Sequence, residues 1–173
     1  GGLVALGRLA RGDVDLGAPG LQEAAHGTQS AHYEFRHALY RQALYRHLSS
    51  VNRTKLHRGL AERLMTICFA GRPELASEVA LHFEEGRDFE QATRCLMLAA
   101  ENTQKRFSYR DSIQVLRQAL ELISGHELSY GLTTGIEQGI QIHQRIGEAQ
   151  FALGEMSASI ESYEAAAVLA AKA

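Results

Sequence analysis

Apolar residues recur along this chain at the three- and four-residue spacing of amphipathic helices, and the pattern changes character near its first third. Leu3, Leu6 and Leu9 suggest a short helix ending near Arg11. Residues 12–31, rich in glycine and polar side chains, suggest strands or a wing-like loop. His32-Tyr33-Glu34-Phe35-Arg36 alternates, which predicts a short strand with Tyr33 and Phe35 on one face. Leu39, Ala43 or Leu44, and Leu48 then take up helical spacing, and Ser49 and Ser50 suit a helix N-cap. Leu56, Leu60, Leu64 and Cys68 predict the apolar stripe of the next helix, closed by Gly71, and Pro73 fits the first turn of its successor.

From Pro73 onward helix follows helix. Leu75, Val79 and Phe83 form one stripe, interrupted at Gly86-Arg87-Asp88. Phe89, Ala92, Leu96 and Ala99 form the next, and Tyr109, Ile113, Leu116, Leu120 and Ile123 a third. Residues 125–135 read as a linker. Ile136, Ile140, Ile146 and Phe151 predict a helix ending near Gly154, and Ile160, Tyr163 and Ala167 a last one. The breakers agree with this division. Seven of sixteen glycines lie within residues 1–27, whereas no proline follows Pro73, leaving that stretch free to be helical throughout.

A local pattern repeats within the helical part. Phe89–Ala99, Tyr109–Ala119 and Met156–Ala166 each show a large residue, a small one three later, a large one four later and an alanine three beyond that. Small residues let helices approach closely while large ones fill the gaps between them. This resembles the tetratricopeptide repeat, whose period is about 34 residues. The clearest copy spans 141–170, with Gly147 on its first helix, Gly154 in the turn, and Ser159, Tyr163 and Ala166 on its second. The spacing from Ala92 to Ser112 and then to Ser159 departs from the regular period, so residues 88–124 are repeat-like helices that share partners.

Upstream, Tyr33-Glu34-Phe35-Arg36-His37-Ala38-Leu39-Tyr40-Arg41-Gln42-Ala43-Leu44-Tyr45, followed by Arg53-Thr54-Lys55-Leu56-His57, resembles the end of the winged helix of bacterial STAND signal-transduction ATPases. These include the large LuxR-type regulators and the ATPase modules associated with class III adenylate cyclases. Leu81-His82-Phe83, Gly86-Arg87-Asp88, Ala92 and Ala99-Ala100 fit the start of the array that follows the winged helix there, so the resemblance covers roughly residues 30–173. It implies a nucleotide-binding domain upstream and ATP or ADP as ligand of the whole protein. It also implies that His37, at the strand–helix junction, faces the β-phosphate of bound ADP and helps hold the closed state. Ala38 stands where eukaryotic relatives have Asp. The residue-level alternative for His37 is a half-buried imidazole bonded to a neighbouring carbonyl. The chain begins Gly1-Gly2 with its first Met at Met65, which reads as a piece of a longer protein.

Composition narrows the chemistry. With 45% hydrophobic and 22% charged residues the chain can bury a core, and a net charge of -2 argues against a uniformly basic nucleic-acid coat or an acidic tail. Two cysteines are too few for a disulfide framework and suit a reducing cytoplasm. No P-loop pattern is present and no Gly-x-Ser-x-Gly elbow, so neither ATP hydrolysis nor triad chemistry is expected of this segment. Eight histidines raise the question of a metal. His32 and His37, however, straddle a strand–helix boundary, and Cys68 and Cys95 lie far apart on apolar stripes, so no metal site is expected. Seven Arg/Lys against one acid in residues 36–63 spread round two helices, which favours a solvated face over direct nucleic-acid contact. Residues 137–173 carry the opposite bias, five Glu against Arg145 and Lys172.

The sequence therefore predicts a mainly α chain: the remnant of a winged helix and connecting helices over 1–70, then a tetratricopeptide-like α-α superhelix over 71–173. The expected function is non-catalytic and regulatory. A protein, peptide or small inducer would bind the repeat face, and the event would be coupled to the nucleotide state of an upstream ATPase. No cofactor belongs to the segment itself, no membrane partner is expected, and the location is cytoplasmic. The groove candidates are Glu78 and His82 on one helix and Gln144 and Glu148 on another. Two other readings are a structural scaffold or oligomerisation array, and a part of an enzyme such as an adenylate cyclase whose catalytic domain lies outside this chain.

Overall fold

A computed structural model describes residues 20–23, 29–32 and 38–173 of the chain. It is mainly helical. The chain divides into two compact units, residues 1–53 and 54–173.

In the first unit, β1 (Gly20–Glu23) pairs antiparallel with β2 (Gln29–His32), Gly20 opposite His32 and Glu23 opposite Gln29. Both strands fall in the stretch expected to hold strands or a wing. The strand expected over His32–Arg36 is reached only at His32, since residues 33–37 lie outside the described residues, as does the expected helix at 3–11. Helix α1 (Ala38–His47) follows. Its apolar stripe is incomplete: Leu44 and Leu48 are half-buried, but Leu39 is exposed. Helix α2 (Ser50–Phe69) starts where the serines indicated, Ser49 Oγ accepting from the backbone N–H of Asn52 at 3.3 Å.

The second unit begins within α2 rather than at residue 71. The reason is packing: Ala61 and Cys68 of α2 belong to the same buried cluster as Ala76, Val79 and Phe83 of α3 (Ala76–Glu85). The face that α2 buries agrees with the expected one at Leu64 and Cys68 and differs from it at Leu56 and Leu60. Ala61 and Cys68 are buried and Leu64 and Met65 half-buried, whereas Leu56 and Leu60 are exposed. Pro73 opens a short 3-10 turn, Pro73–Leu75, that runs into α3. Then come α4 (Phe89–Lys105), α5 (Tyr109–Gly125), α6 (Leu132–Ala152) and α7 (Met156–Ala170). Each packs against its predecessor, and α4 also meets α6 on one side of α5.

Three of the four turns between these helices share one construction. The N–H of Asp88 reaches the carbonyl of Phe83 at 2.8 Å, that of Ser108 reaches Thr103 at 3.0 Å, and that of Glu155 reaches Gln150 at 2.9 Å. The residue before each lies in the left-handed region: Arg87 at φ 55°, Phe107 at 61° and Gly154 at 77°. These are Schellman caps, in which a left-handed residue closes the helix and its successor immediately caps the next one. Asp88 does so with its side chain, accepting from the N–H of Gln91 at 3.3 Å. Phe107 occupies this position against its steric preference, and its side chain is 80% exposed. Replacing it by glycine relieves a strain of roughly 1–2 kcal/mol at some entropic cost. Phe107→Gly is therefore expected to stabilise the chain by about 0.5–1 kcal/mol, read as a higher urea midpoint at constant slope.

The same small-residue triad threads three of the four pairs of successive helices. Ala80, Ala92 and Ala99 stand at the same mutual spacing as Ala100, Ser112 and Ala119, and as Gly147, Ser159 and Ala166, and all nine positions are buried. The contacts explain why. A Cβ on Gly147 would lie 3.0 Å from the ring of Tyr163, and Ser159 Oγ donates to the carbonyl of Gly147 at 2.8 Å. The repeated large–small pattern of the sequence is thus a repeated mode of close helix approach.

The fourth turn differs. The linker is shorter than expected, since α6 already begins at Leu132 and includes Gly135. It contains a 3-10 turn, Glu127–Ser129, and then Tyr130, which is buried. Tyr130 donates to the carbonyl of Phe89 at 3.0 Å and pairs with Thr93 Oγ1 at 2.7 Å, while His126 stacks on Phe89 with ring centroids 3.6 Å apart. The linker is therefore tied back to the start of α4. The faces of the last two helices also shift. In α6, Ile142, Ile146 and Ala149 are buried while Phe151 is exposed, and in α7 Ser159 and Ala166 are buried while Ile160 and Ala167 are exposed.

Candidate functional site

The second unit has clefts on both sides of α6. The smaller, about 320 Å³, lies between α4 and α6. Arg94, Met97, Leu98 and Glu101 face it from α4, and Glu137, Gln138, Gln141 and Arg145 from α6. Each set follows helical spacing, so each is one face of its helix. The charges here are mostly engaged. Arg94 meets Glu90 at 2.7 Å one turn away. Arg145 donates to the carbonyl of Met97 at 3.3 Å and stands 4.0 Å from Glu101. Glu101 also holds Lys105 at 2.8 Å, and the Lys105 hydrogen bond, more than either cation's charge, keeps its carboxyl below the usual carboxylate range. Gln138 is the exception. It is only 7% exposed, and among the described residues its buried side-chain oxygen has no hydrogen-bond partner. A buried acceptor left this way costs about 1–3 kcal/mol.

The larger cleft, about 540 Å³, lies at the other side of α6 and is mainly apolar. Leu120 and Ile123 of α5, Ile136 of α6 and Leu169 of α7 line it, with His143 as an imidazole at its wall. Gly131, Gly135 and Gly139 recur every fourth residue along this wall. A Cβ on Gly139 would stand 3.1 Å from the methyl of Leu169, so the glycine sets how closely α7 approaches. Volume and lining are in the range of small-molecule pockets.

The residues singled out in the sequence fall elsewhere. His37 lies outside the described residues. Glu78 is exposed on α3, and Gln144 and Glu148 are exposed on α6; none of them lines either cleft. Their neighbours Gln141 and Arg145 do, because the register of α6 turns those positions toward α4. His82 faces α2 instead of a groove. Its Nδ1 lies 2.9 Å from Nδ1 of His57, a separation at which one ring donates and the other accepts. The spacing of Arg94, Met97, Leu98 and Glu101 was visible in the sequence, but it marks a site only once α6 is known to face it.

Burial, then the neighbouring His57, pushes the affinity of His82 for a proton down, and burial does the same to His143. Folding therefore favours the neutral rings. Their stabilising contribution is complete above the unfolded value of roughly 6.5 and is lost as pH falls through the lower folded values. Unfolding of the second unit is expected at lower urea at pH 5 than at pH 7.5, and His82→Asn should shrink the difference. Burial likewise pushes the Cys95 thiol up to about 11, with Cys68 and Asp88 adding to it, so it stays protonated near neutrality.

Among the described residues, no three His, Cys, Asp or Glu side chains converge as a metal site would require, and no helix is long and apolar enough to cross a membrane. No family model, curated protein or solved structure matches the chain.

Proposed function

We propose that residues 54–173 form a tetratricopeptide-like stack that binds a partner or effector in the cleft between α4 and α6. The observation that carries this reading is the threefold small-residue triad, buried at every copy, together with the polar cleft it leaves between alternate helices. Close approach within each helix pair and an open face between pairs is the geometry of a recognition scaffold, which needs no reacting group of its own. The upstream sequence resemblance extends the reading. Residues 1–53 would be the end of a winged helix, and the chain the regulatory, non-catalytic segment of a STAND-class ATPase. Binding would be transmitted to the nucleotide through differential contacts in an open and a closed state. His37 would then report the phosphate of bound ADP.

Panning a random peptide display library on the 173-residue chain tests the binding reading. Enriched sequences should shift the backbone NMR signals of Arg94, Met97, Gln141 and Arg145, and Met97→Glu should abolish the effect. Enrichment of nothing, or shifts confined to other helices, would refute it. A scaffold role gains some support from α7, where Met156, Ile160 and Val168 are all exposed. Sedimentation of Ile160→Glu beside the wild type separates the two, since only self-assembly would respond.

A further inference from the structure

We propose that the apolar cleft lined by α5, α6 and α7 is a second binding site, for an uncharged amphiphile whose apolar body fills the cleft and whose hydroxyl or amide group meets the imidazole of His143. This site is separate from the cleft between α4 and α6 and does not depend on it. The cavity is the first observation. At about 540 Å³ it is in the range of small-molecule pockets, and Leu120, Ile123, Ile136 and Leu169 give it a mainly apolar wall. The second is His143. Its ring is half-buried in that wall, yet it forms no hydrogen bond or ion pair with a described residue, and both its nitrogens remain accessible. Burial lowers its affinity for a proton, so the ring is neutral near pH 7. A neutral imidazole offers one donor and one acceptor, and a hydroxyl or an amide carries the matching pair.

Charge decides against ions. No lysine or arginine lines the cleft, so a carboxylate guest would lose its water with no cation to meet it. Glu121 and Glu127 are the acids of the lining, and both stay exposed to water, where pairing with an ammonium guest gains little. Shape is set by α6. Gly131, Gly135, Gly139 and His143 follow one another at every fourth position, a row roughly 18 Å long at the helical rise, and all four line the cleft. The glycines leave bare backbone along that wall, with room for an extended guest, and His143 ends the row.

Titration of the 173-residue chain with four eight-carbon probes, followed by NMR, tests the proposal: 1-octanol, octanamide, octanoate and octylammonium. The alcohol or the amide should bind saturably and shift the signals of Gly135, Gly139 and the His143 ring. The better of the two, which names the polar group, should bind at least about tenfold more tightly than either ion. 1-Hexanol should bind about fifteenfold more weakly than 1-octanol, because two buried methylenes are lost. Gly135→Leu fills the cleft from α6 and should abolish binding without lowering the Tm, since a Cβ there meets Tyr130 at an ordinary contact distance of 3.4 Å. His143→Phe keeps the cleft and should weaken the better probe by about fivefold. An ion bound as tightly as the better neutral probe, shifts confined to other residues, or undiminished binding by Gly135→Leu would overturn the proposal. So would the absence of saturable binding by all four probes.

Discussion

Leu116→Ala is expected to lower the stability of the second unit by about 3 kcal/mol. Leu116 is the largest fully buried side chain in the molecule's described part, at 0% exposure. It sits on α5, the helix that packs against both α4 and α6, within the buried cluster that includes Ala92, Leu96 and Ile142. Truncation removes the transfer energy of the lost carbons and leaves a void among neighbours already at contact. Against a total stability of roughly 5–15 kcal/mol for a domain this size, that is a large fraction. Urea denaturation followed by far-UV circular dichroism should show the midpoint falling with the slope kept. A loss under about 1 kcal/mol would mean that α5 is not the centre of the stack.

Gly86→Ala is expected to cost about 2 kcal/mol, although it adds one methyl group. Gly86 has an ordinary helical backbone, so its glycine is not required by a turn conformation. What requires it is α2. A Cβ at this position would lie 3.1 Å from the N of Arg58, 3.2 Å from its Cα and 3.0 Å from the carbonyl of His82. All three are main-chain atoms and cannot rotate aside. The methyl must push α2 from the end of α3, straining the Arg58–Asp88 ion pair at 2.6 Å and the contact of Ala61 and Cys68 with the core. Gly125→Ala is the matched control: nothing stands within 4 Å of its Cβ, so it should be neutral or slightly stabilising. If both variants melt alike, the close approach of α2 at Gly86 is wrong.

These two sites mark how far the sequence could be read. Leu116 was on an expected stripe, because an apolar residue three or four places from other apolar residues has one side of a helix to share with them. Val79, Phe83, Ala92, Leu96, Ile113 and Ala119 were legible in the same way and are buried. Gly86 was legible only as a break between stripes, since its tight contact is with a residue 28 positions earlier. Where a helix offers two apolar faces, periodicity could not choose. Along α2 it indicated Leu56, Leu60, Leu64 and Cys68; Cys68 is buried and Leu64 half-buried, but Leu56 and Leu60 are exposed and Ala61 faces the core in their place. Along α6 it indicated Ile140 and Phe151, but Ile142 and Ala149 face the core. The same ambiguity holds for polar positions: Gln144 and Glu148 lie on the same helix as Gln141 and Arg145, each three residues beyond one of them, but only Gln141 and Arg145 line the cleft.

The order of helices, their breaks and the small residues at their crossings were determined by the sequence alone. Local spacing, glycine and proline act over a few residues and need no distant partner. That α4 and α6 face one another across a polar cleft, with the oxygen of Gln138 stranded in its wall, was decided only by the tertiary structure. The rotation of each helix about its own axis is fixed by all its neighbours together, and no periodicity within one helix encodes it.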